Sequence, residues 1–147
     1  MQLSTGLRNA VMAASSFRAA LAGCVINVYS GTIPASADAA LSGDAVLLYT
    51  ISVDGGGGGL GWESAAVGGV LSKSTSEAWK GTVVAAGTIS FFRLQIPADT
   101  NGASTTDVRI QGTAGVLGFD LNMSKDAVIV SEVQTVDYAT ITVPASI

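Results

Sequence analysis

Residues 24–53, CVINVYSGTIPASADAALSGDAVLLYTISV, constrain this chain more than any other stretch. Two runs rich in β-branched and aromatic residues, 24–29 and 45–53, flank a short segment with strong turn chemistry. Ser30-Gly31 ends the first run. Pro34 fixes φ, Ser36 can cap, residues 37–41 have room for about one helical turn, and Gly43 stops it. The second run (Val46, Leu47, Leu48, Tyr49, Ile51, Val53) is almost wholly apolar. It is expected to be buried on both faces, or on one face and at an interface. The chain before this stretch reads as helical, and the chain after it reads as β punctuated by glycine.

Residues 3–22 carry apolar side chains at three- and four-residue spacing: Leu3, Leu7, Ala10, Val11, Ala14, Phe17, Ala20 and Leu21. Ser4 or Thr5 can cap the start. Ser15-Ser16 can split the segment, because serine hydroxyls compete for backbone bonds. Gly23 supplies the stop. The apolar stripe either covers the β core of its own chain or docks on a neighbouring subunit. Arg8 and Arg18 interrupt the apolar run, so an amphipathic helix is expected here rather than a signal peptide.

After residue 53 the chain runs through Asp54 and five glycines, Gly55 to Gly59. A phosphate-cradling loop needs a Lys and a Ser or Thr opening a helix; Leu60-Gly61-Trp62-Glu63 stands there instead, so a flexible surface connector is expected. Further candidate strands are 65–72, 78–85, 87–96, 107–112, 116–123, 127–131 and 133–143. In 87–96 the apolar and polar residues alternate on neither face cleanly, which predicts an interior strand. No helices recur between the later strands, which disfavours a parallel α/β fold. The expectation is one mainly β domain over 1–147: a jelly-roll-like β-sandwich (24–147) preceded by a helical segment (1–23).

Composition narrows the chemistry. Apolar residues make up 48% and charged residues 12%, too few charges to cover a free surface, so contact with other protein or with copies of itself is expected. A net charge of −4 with scattered Arg and Lys gives no stripe for phosphates, so no nucleic-acid partner is expected. No apolar run is long enough to span a bilayer, so no membrane partner is expected either. One cysteine, Cys24, rules out an internal disulfide; it reads as a small core hydrophobe. Histidine is absent, which removes Ser/His/Asp and Cys/His catalysis. Asp54 with Glu63, and Asp120 with Asp126, flank turns, but nothing singles them out as an acid/base pair. No enzymatic activity and no cofactor or metal are expected. Trp62, Trp79, Tyr49 and Tyr138 read either as core anchors or as a sugar-stacking platform.

Three pieces of the sequence carry a family likeness: TGLRN at 5–9, VINVYSG at 25–31 and PASADAA at 34–40. Together they resemble small virion proteins encoded in the structural gene clusters of tailed bacteriophages. The resemblance covers the first third of the chain and the general β layout after it. It implies a non-enzymatic structural protein of the virion, assembled in the host cytoplasm. Within that class a small acidic sandwich is similar to capsid cement or decoration proteins, which bridge major capsid subunits and occur as dimers or trimers. A tail, neck or fibre component is the alternative within the class, and a carbohydrate-binding module the alternative outside it. The expected contact residues are Leu3, Leu7 and Val11 on the helix stripe, Trp62 beside the glycine run, and Tyr138 with the chain beyond it to 147. Removing residues 1–9 is expected to impair assembly more than folding.

Overall fold

The computed structural model describes residues 1–145, so the end of the expected contact segment, 146–147, lies outside the described residues. The helical segment opens with a two-residue strand, β1 (Gln2–Leu3), and then splits as its serines suggest into α1 (Thr5–Ala13) and α2 (Phe17–Ala20). Ser4 caps α1 by accepting from the Leu7 N–H, and Ser16 caps α2 by accepting from the Ala19 N–H. Gly23 ends the segment at φ 81°, where a side chain would be strained. No described helix is long and apolar enough to cross a membrane.

The β part begins with β2 (Val25–Ser30) and β3 (Val46–Val53), followed by β4 (Val70–Ser72), β5 (Trp79–Thr82), β6 (Gly87–Thr88) and β7 (Phe91–Gln95). After these come β8 (Ile110–Gly115), β9 (Leu121–Asn122), β10 (Ala127–Val128), β11 (Val133–Val136) and β12 (Thr140–Thr142). One large antiparallel sheet runs in the order β1-β8-β7-β2-β3-β5-β11, with β9 added parallel to β8. Two separate pairs, β10–β6 and β12–β4, complete the strands. The chain is thus mainly β and sandwich-like, with a short helical start. Its second layer is made of these pairs and their connections rather than of a full second sheet.

The inner face of the large sheet carries Ile26, Val28, Ile51, Phe92, Leu94 and Ile110. These pack into one apolar cluster with Leu60, Trp62, Leu71, Trp79, Met123, Val136 and Ile141. Leu7 and Leu21 join that cluster at 0% exposure, so the helical stripe covers its own core. Burying each such aliphatic side chain contributes about 1.5–3 kcal/mol. Cys24 is also at 0% exposure, and burial, with a smaller push from Asp99, drives its thiol up to about 12.

Several expected strands are cut by specific contacts. The run 87–96 divides because the chain changes partner: Ile89 N–H bonds to Asp126 O, whereas Ser90 N–H bonds to Tyr29 O. β6 therefore pairs with β10, and β7 enters the large sheet, buried along its whole length as an interior strand. The run 133–143 divides likewise, β11 pairing with β5 and β12 with β4. Gly68 and Gly69, at φ 60° and 78°, turn the chain and leave only the end of 65–72 as strand. In place of the expected helical turn at 37–41 there is a single tight turn at 37–38, closed by Ala39 N–H to Ser36 O, followed by irregular chain. The glycine run is exposed, as expected, yet it is bonded as a turn, with Gly57 N–H donating to Ser52 Oγ and Val53 N–H to Gly58 O.

Candidate functional site

The outer face of the large sheet is its unusual feature. Strand alternation places Asn27 and Tyr29 of β2, Arg93 and Gln95 of β7, and Gln111 of β8 on this face, with Arg109 just before β8. All six are buried, Arg93, Arg109 and Gln111 at 0% exposure. A row of polar side chains is costly to bury unless each is bonded. Here the partner is the irregular segment 32–41, folded back over the sheet. Its carbonyls have no ladder of their own, and the sheet supplies donors. Gln111 Nε2 donates to Pro34 O (2.8 Å), Arg109 Nη1 to Ala37 O (3.3 Å) and Arg93 Nη2 to Ala39 O (2.7 Å). Arg93 Nε also donates to Gln111 Oε1 (2.8 Å), which fixes the amide between the two.

A second cover comes from residues 97–107. Asp99, whose side chain is fully buried, takes two bonds from Arg109, Nε at 2.6 Å and Nη2 at 2.7 Å. Asp107 accepts a third from Nη2 at 3.1 Å. Burial alone would raise the Asp99 carboxyl. The bonds from Arg109 and the Asn101 N–H, with the charges of Arg109 and Arg93, outweigh it and hold the group below the usual carboxylate range. Arg93 is pulled down by burial first and by the Arg109 charge second.

The helical segment is tied into the same network. Thr5 donates to Asp38 through both N–H (2.7 Å) and Oγ1 (2.6 Å), which lowers the Asp38 carboxyl. Ser4, at 0% exposure, accepts from Arg109 N–H (2.9 Å) and donates to Asp107 O (2.7 Å). Gly6 lies so close to the Thr106 and Asp107 carbonyls that any Cβ would collide with them. TGLRN and PASADAA, far apart in sequence, thus meet at Thr5 and Asp38 beside the Arg109 end of the layer. Three buried polar side-chain atoms of this layer have no partner among the described residues: Arg93 Nη1, Gln95 Oε1 and Asn101 Oδ1. A groove of about 470 Å³ opens at the margin of this layer, lined by Asn27, Tyr29, Leu47, Thr50, Asp99 and Asn101 among others.

Beyond that groove the same face is bare. Register places Leu47, Thr50, Lys80, Thr82, Val133 and Thr135 on the outer side of β3, β5 and β11, with Val84 continuing the row past β5. Val84, Val133 and Leu47 are 65%, 58% and 37% exposed. Only the glycine turn 55–58 folds against this part of the face, over Ser52 and beside Lys80, and it leaves Leu47, Val84 and Val133 exposed. β11 ends the sheet without a further strand among the described residues.

The expected contact residues divide. Leu7 (0%) and Trp62 (7%) are inside the core, so neither offers its side chain to a partner; this corrects their assignment as contacts. The stripe that carries Leu7 is satisfied by its own core, and Trp62 turns inward from the glycine run. Leu3 and Val11 are half-buried and pack on that core. Tyr138 is 78% exposed. Trp62 and Trp79 meet edge to face, with ring centres 5.1 Å apart, and Tyr49 is at 0% exposure. Three of the four aromatics considered for sugar stacking are therefore core anchors and present no flat surface. Trp62 and Trp79 border a cavity of about 500 Å³ between the layers, with Tyr138 also in its lining.

Two of the carboxylates considered for acid/base work, Glu63 and Asp120, are occupied in holding turns. Glu63 accepts from Thr75 N–H and Oγ1, and Asp120 from Thr113 N–H and Oγ1. Among the described residues no group of three His, Cys, Asp or Glu is placed to hold a metal ion. The buried Arg/Gln layer was not singled out from sequence. Its signal was the polar alternation of Arg93–Gln95 and Arg109–Gln111 within otherwise apolar strands. Comparison with protein-family models, curated proteins and solved structures finds no match.

Proposed function

We propose that this chain is a non-enzymatic structural protein of a tailed-phage particle, acting as a capsid cement or decoration protein that packs against major capsid subunits and copies of itself. The observation that carries the reading is the bare half of the outer face. A strand row bearing Leu47, Val84 and Val133 beside a free edge suits contact with another protein surface. The other half of the face supports the same reading from a different side. Its charges are spent on holding loops 32–41 and 97–107, which gives a stiff body rather than a reactive cleft. The motif residues that resemble phage virion proteins lie at that stiff part. The low charged share fits a surface that other protein covers.

Quantitative mass spectrometry of purified particles tests this reading. A copy number of the same order as the major capsid protein is the expected result. A copy number matching a single ring sinks the cement role in favour of a neck or tail component, and absence from particles sinks both.

A further inference from the structure

We infer that the free edge of β11 pairs antiparallel with β11 of a second copy about a two-fold axis at Gln134, joining two large sheets into one. The inference deepens the reading above, which calls for contact between copies, by naming the strand that makes it.

The backbone sets the geometry. Val83 N–H bonds to Glu132 O, and the register pairs Val133 with Thr82 and Thr135 with Lys80. Antiparallel pairing alternates bonded and non-bonded pairs. Gln134 and Val136 therefore direct their N–H and C=O groups at β5, while those of Val133 and Thr135 point to the open side. Natural sheet edges are commonly guarded by charges, Pro or a bulge. Within β11 itself (Val133, Gln134, Thr135, Val136) there is none of these. A bulge at Ser131-Glu132 opposite Val83 and the carboxylates of Glu132 and Asp137 mark its two ends and confine the open edge to these four residues. The opposite edge, β1, is only two residues long and runs directly into the Ser4 cap.

The choice of a second copy over an unrelated strand rests on self-complementarity. With the axis at Gln134, Val133 of each copy faces Thr135 of the other, and both place their outward N–H and C=O groups in position to exchange bonds. No charged residue lies within the paired strand, so no like charges oppose each other across the axis. The flanks match as well. Tyr138 stands four residues after Gln134 and Val130 four before it. Tyr138 is 78% exposed, and Val130 and its neighbour Ile129 are 55% and 61% exposed. Antiparallel pairing brings the Tyr138 end of one copy towards the turn at residues 129–131 of the other, twice. Three exposed apolar side chains in each copy thereby gain cover that the single chain does not give them.

Sedimentation velocity or light scattering on the purified full chain, at tens of micromolar, tests the inference. The expected species is a dimer, twice the 14.7 kDa of the chain. Thr135→Pro deletes the outward N–H without removing a bond to β5, and it should raise the dimer dissociation constant roughly tenfold or more. Thr135→Lys places a charge on the edge and should do the same. Far-UV circular dichroism establishes which variants are folded, and Tyr138→Ser, outside the strand, gives a third arm should the strand variants unfold. It should weaken the dimer several-fold. A monomeric or trimeric wild-type chain overturns the inference, as do folded variants that dimerise like wild type. The two readings fail separately. A monomer in solution with capsid-like copy number removes the β11 pairing alone, and an edge-dependent dimer present at ring-like copy number removes the cement role alone.

Discussion

The two halves of the outer face belong to one sheet but end differently. Over β8, β7 and β2, a row of Arg, Gln, Asn and Tyr is buried beneath irregular chain; over β3, β5 and β11, a row of Leu, Val, Thr and Lys is left open. The difference lies in what each row can give to a loop. An irregular segment brings carbonyls that need donors, and guanidinium and amide groups supply several in fixed geometry. The Leu and Val side chains of the other row offer no donor, and among the described residues only the glycine turn is held there, by Gly57 N–H to Ser52 Oγ. A polar row on this sheet therefore recruits cover from its own chain, and an apolar row is left for another chain to cover.

The largest expected effect breaks the covered half at its root. Removing residues 1–9 takes away β1, the Ser4 cap, the Thr5–Asp38 bonds and Leu7. Truncating Leu7 to Ala would alone cost about 2–5 kcal/mol, a large share of the ~5–15 kcal/mol that keeps a domain folded. The truncated chain should lose its cooperative melt by circular dichroism. This reverses the expectation from sequence that the segment serves assembly before folding. A truncated chain that melts cooperatively near the wild-type temperature would restore that expectation.

Next comes the ion pair under the 97–107 cover. Asp99→Ala leaves the Arg109 guanidinium, at 0% exposure, with Asp107 as its one remaining direct ion-pair partner and Asp38 as a further counter-charge. Removing one member of a buried pair costs about 3–5 kcal/mol, and urea denaturation should register it. A loss below about 1 kcal/mol, the range of exposed pairs, would show that the cover stays on without its anchor.

The sequence made some of this legible and hid the rest for a physical reason. The capping serines, Gly23, the interior position of β7 and the mainly β character all come from local chemistry and period. Leu7 looks like a contact in the sequence because an apolar stripe is the same whether its own core or a neighbour covers it, and Trp62 because an aromatic beside a glycine run does not show which way it turns. The Arg/Gln layer was hidden because its meaning depends on where 32–41 lies. In 87–96 the alternation of Arg93 and Gln95 with apolar residues was visible. That Ala39 O would sit above Arg93 was not. Thr5 and Asp38, 33 residues apart, are tied by a contact that no local pattern encodes.

Acid should separate the halves more gently. Asp99 and Asp38 both titrate below the usual carboxylate range in the folded chain. Such groups add stability above the unfolded carboxylate value of about 4, and that stability is lost as pH falls through their folded values. Chemical denaturation from pH 7 down to pH 3 should therefore show a decline that begins near that unfolded value. Asp38→Asn should flatten part of the decline, whereas Val133→Thr should leave its shape unchanged. An unchanged profile in Asp38→Asn would remove Asp38 from the forces holding the cover.

The smallest effect belongs to the bare half, and its smallness is the point. Val84→Ser exchanges a side chain that is 65% exposed and lies under no cover. In the isolated chain it should change stability by no more than about 0.5 kcal/mol, the range of surface substitutions away from special features. If the bare half is an interface, the same substitution should weaken association with particles lacking this protein, measured by rebinding of the purified variant. A loss of well over 1 kcal/mol in the isolated chain would mean that Val84 is already packed by its own chain. The two halves of the face would then differ in composition but not in role.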